Sequence, residues 1–136
     1  MASTMKAVRL LAPGGPEQLI WDDVPAPVAP IGRQVRLAVR ATAVNRADLL
    51  QRQGKYPPPP GASEIIGLEA VGVVADVGPE CAAVRPGDRV MALLAGGGYA
   101  EQVLVDERHT LPIPTGMPFE QVRPCSVVGP SSRSWR

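Results

Sequence analysis

At 136 residues the chain has room for one domain, and a domain of this size buries about two-thirds of its unfolded surface, enough for a real core. Fourteen Lys and Arg against thirteen Asp and Glu leave a formal charge of +1, which argues against the dense basic face of a nucleic-acid binder. Two Cys and one His, far apart in the chain, do not make a four-ligand zinc site. Cys81 and Cys125 read as free thiols, which fits a reducing, cytoplasmic compartment. No apolar run approaches a membrane span, and Met1 to Lys6 lack the apolar stretch of a secretory signal, so no membrane partner is expected.

Fourteen Gly and sixteen Pro punctuate the chain and favour short strands over long helices. Lys6 to Leu11 is the first predicted strand, and Pro13-Gly14-Gly15-Pro16 turns it. Leu19 to Val24 is the second, followed by an extended Pro25-Ala26-Pro27-Val28-Ala29-Pro30 connector. In Gln34 to Val44 the residues Val35, Leu37, Val39, Ala41 and Ala43 alternate against Arg36 and Arg40, the period of a half-buried strand. Asn45 to Gln53 predicts a short helix with Asn45 as N-cap, Asp48 at the third helical position and Gly54 as the stop. Pro57 to Pro60 forms a rigid spacer after Tyr56. Three more strands are predicted over Ile65–Val77, Arg89–Leu94 and Tyr99–Val105, and a last one over His109–Ile113. Many short strands at regular spacing suggest a barrel or sandwich.

Val122 to Arg136 differs from what precedes it. It carries Arg123, Arg133 and Arg136 and no acid, so the tail nets +3 and the remaining 11 basic and 13 acidic residues net −2. The tail is rich in Ser, Pro and Gly and reads as disordered or loosely docked, with residues 1–121 as the folded domain.

Three segments carry a resemblance. They are Asn45-Arg46-Ala47-Asp48 with Gln51 to Tyr56; Gly67-Leu68-Glu69-Ala70-Val71-Gly72-Val73-Val74 with Gly78 and Pro86 to Val90; and Gly96-Gly97-Gly98-Tyr99-Ala100-Glu101-Gln102-Val103. In this order they resemble the N-terminal, GroES-like catalytic domain of the medium-chain dehydrogenase/reductase family. The match runs roughly from Met5 to Gln121 and is most similar to the zinc-free NADPH:quinone oxidoreductase branch. The resemblance implies a mainly β (α+β) fold, a GroES-like, partly open β-barrel with short helices. It implies NADPH as cofactor, a quinone as substrate and hydride transfer as the reaction. It also implies a cleft in which Asn45, Asp48 and Tyr56 lie beside the nicotinamide and substrate, with Asn45 and Tyr56 on the cofactor side. Two departures qualify this. The family's zinc branch has Cys where Asn45 stands and His where Leu68 stands, so no metal is expected. The family's Rossmann domain is absent from the expected fold, because no G-x-G-x-x-G occurs and Glu101 holds the third glycine's place. Where relatives continue into an Ala-rich helix, this chain has Pro124, which breaks helices, so residues 122–136 read as a variant end.

Each candidate has a plainer reading. Asn45 serves equally as an N-cap. Tyr56 sits on a stiff loop, where its phenol reaches a planar quinone or simply anchors the loop. Glu69, in an apolar strand, is expected to pair with an Arg rather than to act chemically. His109 and the two cysteines have no catalytic neighbours in sequence. The alternative to an enzyme domain is a non-catalytic interaction module that associates with a full-length relative through an uncovered apolar face.

Overall fold

The computed structural model describes residues 3–122. Apart from Val122, the basic tail lies outside the described residues, as does Cys125. The order is β1 (Thr4–Leu10), β2 (Leu19–Pro25), β3 (Gln34–Ala41), α1 (Arg46–Arg52), β4 (Glu69–Val77), β5 (Arg89–Leu93), β6 (Gln102–Asp106) and β7 (Thr110–Pro112). Strands β1 and β2 form an antiparallel hairpin, and the others form an antiparallel sheet in the order β6-β3-β4-β5-β7. The segment before β6 joins the two. Ala100 bridges Ala7, the Val8 N–H donates to the Tyr99 carbonyl (2.8 Å), and the Glu101 N–H donates to the Lys6 carbonyl (3.0 Å). The mainly β, partly open architecture expected from the sequence is thus the one found, with one short α-helix and three 3₁₀ turns.

The alternation in β3 places Val35 and Leu37 in the principal core with Ala70, Val74, Val90, Ala92, Leu94, Val103 and Val105. Burying each Leu or Val side chain contributes about 1.5–3 kcal/mol. Strand β4 is buried on both faces: Ala70 and Val74 enter that core, while Val71 packs with Ile113 and Val122 in a second cluster. Its near-continuous run of small and β-branched residues follows from this. Val122, counted with the tail in the sequence, is therefore packed inside the domain. Arg89 closes this end: its guanidinium donates to the Met117 carbonyl (2.6 Å) and lies 4.3 Å from the Phe119 ring centroid.

Five predicted strands are shorter than expected, and for three of them the cause is visible. β3 stops at Ala41 rather than Val44, because the Thr42 hydroxyl takes the Glu69 carbonyl (2.7 Å) and turns the chain out of the ladder. β4 starts at Glu69 rather than Ile65, because Gly67 has φ +122°, outside any strand conformation. β6 starts at Gln102 rather than Tyr99, because residues 99–101 bond to the hairpin instead.

Glu107 holds the loop before β5. Its buried carboxylate accepts N–H groups of Ala82 (3.0 Å) and Ala83 (2.9 Å) and pairs with Arg33 (2.8 Å). The Ala83 N–H leads in holding its carboxyl below the ordinary glutamate value of 4.5. A lowered folded-state value gives stability that is present above 4.5 and lost as pH falls through the folded value. Wild-type protein is expected to lose urea resistance on acidification below 4.5. Glu107→Gln should be weaker at pH 7 and lose less between pH 7 and 3. Parallel slopes for the two proteins would remove Glu107 from the acid response.

Candidate active site

The loop after β3 and the start of α1 meet the start of β4 at two cavities. One, of about 480 Å³, lies between residues 41–45 and the Phe119–Val122 end of the domain. The other, of about 410 Å³, lies between the start of α1, the Tyr56–Pro59 loop and Leu93–Ala95. Asn45 and Glu69 line both. Tyr56 and Leu68 line the second with Asn45, so the structure brings Asn45 and Tyr56 to one cleft.

Asp48 lies elsewhere. It is 2% exposed, lines neither cavity and sits behind Asn45. Its Oδ2 accepts the Asn45 backbone N–H (2.8 Å) and also the Tyr99 hydroxyl (2.9 Å). Asn45 and Asp48 have the reciprocal arrangement of a capping box, but only the Asp48 arm is a hydrogen bond. The Asn45 side chain takes the capping-box position facing the Asp48 N–H without a full cap hydrogen bond, and the residue lines both cavities. Of the three residues singled out in the sequence, two face the cleft and the third holds one of them in place.

Glu69 departs from expectation. No Arg pairs with it among the described residues. It is 1% exposed, and neither carboxylate oxygen has a hydrogen-bond partner there. Its backbone carbonyl accepts the Thr42 hydroxyl, and among the described residues no ion pair reaches its carboxylate, although Arg46 lines the same cavity. Tyr99 is the residue that sequence reasoning missed. Its place after three glycines was noted, but its contact with Asp48 spans 51 positions and has no local signature. Burial first, then the Asp48 bond, pushes the Tyr99 hydroxyl far above the ordinary tyrosine range, so the phenol is held as a donor.

Cys81 and His109 line neither of these two cavities. The Cys81 thiol donates to the Gln34 carbonyl (3.3 Å), and burial pushes its pKa up, away from the thiolate. His109 is exposed beside a larger hollow of about 540 Å³ that lies apart from Asn45 and Tyr56. No helix among the described residues is long and apolar enough to cross a membrane.

Residues 32–115 match the family described as the alcohol dehydrogenase GroES-like domain. The chain belongs to that family. Within the wider medium-chain dehydrogenase/reductase group, this GroES-like domain is 36% identical over 119 residues to a quinone oxidoreductase of Rattus norvegicus. That match takes in 86% of this chain and 36% of the relative. The domain is 42% identical over 117 residues to the pikromycin polyketide synthase component PikAII of Streptomyces venezuelae, 86% of this chain and 3% of that protein. Among solved structures, the human synaptic vesicle membrane protein VAT-1 homolog-like protein superposes with a TM-score of 0.78 at 32% identity, over 86% of this chain and 38% of its own. The GroES-like domain thus spans about a third of the length of relatives such as the quinone oxidoreductase. The cleft formed by Asn45, Tyr56 and Glu69 lies at the junction of the first two sequence motifs.

Proposed function

We propose that this chain is the substrate-side domain of a zinc-free, NADPH-dependent quinone oxidoreductase. Within that branch its motifs most resemble the p53-inducible quinone oxidoreductase. The observation that carries the reading is the convergence of the Asn45 amide and the 42%-exposed Tyr56 ring on one largely apolar cavity. A planar quinone needs this combination: a ring to stack on, and donors for the oxygen that gains charge as it is reduced. Tyr56 and Asn45 supply those groups. A quinone is already electrophilic and needs no metal to polarise it. At the two positions where zinc-dependent relatives place ligands, Leu68 has no donor atom and Asn45 offers only an amide.

The nicotinamide ring of NADPH fits the same cleft, where it would supply the hydride. The Asn45 amide and the Tyr56 ring are the residues suited to its planar, polar-edged ring. Among the described residues nothing forms the βα turn that cradles a pyrophosphate. The chain alone is therefore expected to show no heat of NADPH binding by titration calorimetry. A quinone probe should still shift the NMR resonances of Asn45 and Tyr56. Tight NADPH binding would overturn the first expectation, and shifts confined to residues outside the cleft would overturn the second. Turnover is expected to require a dinucleotide-binding fold beyond the residues described, in a reducing compartment such as the cytoplasm.

A second reading rests on the rim of the same cleft. Leu93 (40% exposed) and Tyr56 line it, and Val44 (71%) lines the neighbouring cavity, so that exposed apolar side chains flank Asn45 on both sides. They suit association with a full-length relative, with the chain acting as a non-catalytic module. Co-purification with such a relative supports this reading. Equal quinone reduction by the relative with and without this chain counts against inhibition.

A further inference from the structure

We propose that Tyr99 is a positioning residue for the cleft: its hydroxyl, acting through Asp48, fixes the Asn45 backbone where the two cavities meet. The inference rests on the proposed quinone site for its functional meaning, and on hydrogen-bond geometry for its existence. A single carboxylate oxygen, Oδ2 of Asp48, receives both the Tyr99 hydroxyl (2.9 Å) and the Asn45 N–H (2.8 Å). The other oxygen, Oδ1, is buried without a partner among the described residues. No hydrogen bond holds the carboxylate at Oδ1, so the Tyr99 bond is the second hydrogen bond that keeps Oδ2 directed at Asn45.

Tyr99 is itself held from two sides. Its N–H donates to the Ile66 carbonyl (2.9 Å), and its carbonyl accepts the Val8 N–H (2.8 Å). The phenol thus ties α1 to a point where the hairpin, the 65–68 segment and the strand leading into β6 converge. Burial and two neighbouring carboxylates, Asp48 and Glu69, keep the phenol protonated across the working pH range, so the donor is always present. The arrangement links the third sequence motif to the first, and it places the Asn45 amide without Tyr99 touching the cleft.

Tyr99→Phe tests this, because it removes one oxygen and keeps the ring. Amide exchange by NMR should accelerate roughly tenfold at Asn45, the change expected for one lost hydrogen bond to a charged group. Val35 and Leu37 in the central sheet should keep wild-type exchange. With 9,10-phenanthrenequinone as probe, affinity should fall roughly five- to tenfold. In an Asn45→Ala background Tyr99→Phe should cause no further loss, because Tyr99 acts through Asn45. If Tyr99→Phe does not fold, 4-fluorophenylalanine at position 99, which also removes the hydroxyl and keeps the ring, carries the same comparison. Unchanged exchange at Asn45 overturns the inference. Wild-type protein that ignores the quinone while Asn45 exchange still responds to Tyr99→Phe overturns the quinone reading alone.

Discussion

Gly67→Ala is expected to lower stability by about 3–5 kcal/mol, which shifts the melting temperature by roughly 10 °C or more. Two costs combine. Gly67 has φ +122°, a backbone conformation that a residue with a Cβ adopts only under strain. A Cβ there would also lie 2.6 Å from Gly98 Cα and the Tyr99 nitrogen, and 2.7 Å from the Gly98 nitrogen. All three are backbone atoms, so no side chain can rotate away. Gly61→Ala separates the two costs. Its φ is +80°, but nothing lies within 4 Å, so only the conformational cost of about 1 kcal/mol remains. Thermal melts of the three proteins by circular dichroism decide the matter. A Gly67→Ala protein that melts within 2 °C of wild type would mean that the two segments do not pack as described. The contact matters for the site because Gly67 precedes Leu68 and Glu69, and Gly98 precedes Tyr99.

Asp48→Ala is expected to cost about 2–4 kcal/mol, summing the lost helix cap and a stranded, half-buried hydroxyl on Tyr99. Both donors that meet at Oδ2 lose their acceptor at once. The urea midpoint should fall with little change in slope, and exchange at Asn45 should rise more than in Tyr99→Phe. Asp48→Asn keeps an acceptor and should recover part of the loss. A midpoint shift worth less than about 0.5 kcal/mol would place Asp48 among ordinary surface residues, at odds with its burial.

The fold was largely legible in the residues. The period-two pattern of Gln34 to Ala41 put Val35 and Leu37 inside, because strand pleating sends alternate side chains to opposite faces. Asn45 and Gly54 bracketed the helix for reasons local to its two ends: an acid at the third position reaches back to the cap, and a glycine with φ +76° follows the last turn. The strand ends were less legible. Thr42 leaves the ladder only because the Glu69 carbonyl is there to receive its hydroxyl, a partner 27 positions away.

The site divides along the same line. Asn45 and Tyr56 lie 11 positions apart; that they share a cleft was implied by the family resemblance, while the helix cap and the proline-stiffened loop read locally only as a helix start and a rigid loop. Asp48, read with them as a cleft residue, proved to be its support, since one turn of helix points it toward Tyr99 instead. Glu69 was expected to find an Arg. The arginines with acidic partners pair elsewhere, with Asp22, Asp76, Asp106 and Glu107, and Glu69 is left without a partner among the described residues.

Length and composition alone determined that this is one small β-rich domain with near-zero charge, because turn residues and alternating apolar positions act within a few residues of one another. The family resemblance, rather than composition, set the expectation of a zinc-free cleft, since Leu68 has no donor atom where the zinc branch has His. Only the tertiary structure decided which polar groups meet. The Tyr99–Asp48–Asn45 chain, the unpartnered Glu69 and the Gly67–Gly98 approach each join segments of separate motifs. Their geometry is set by where the hairpin and the sheet pack together, and no short-range pattern encodes that.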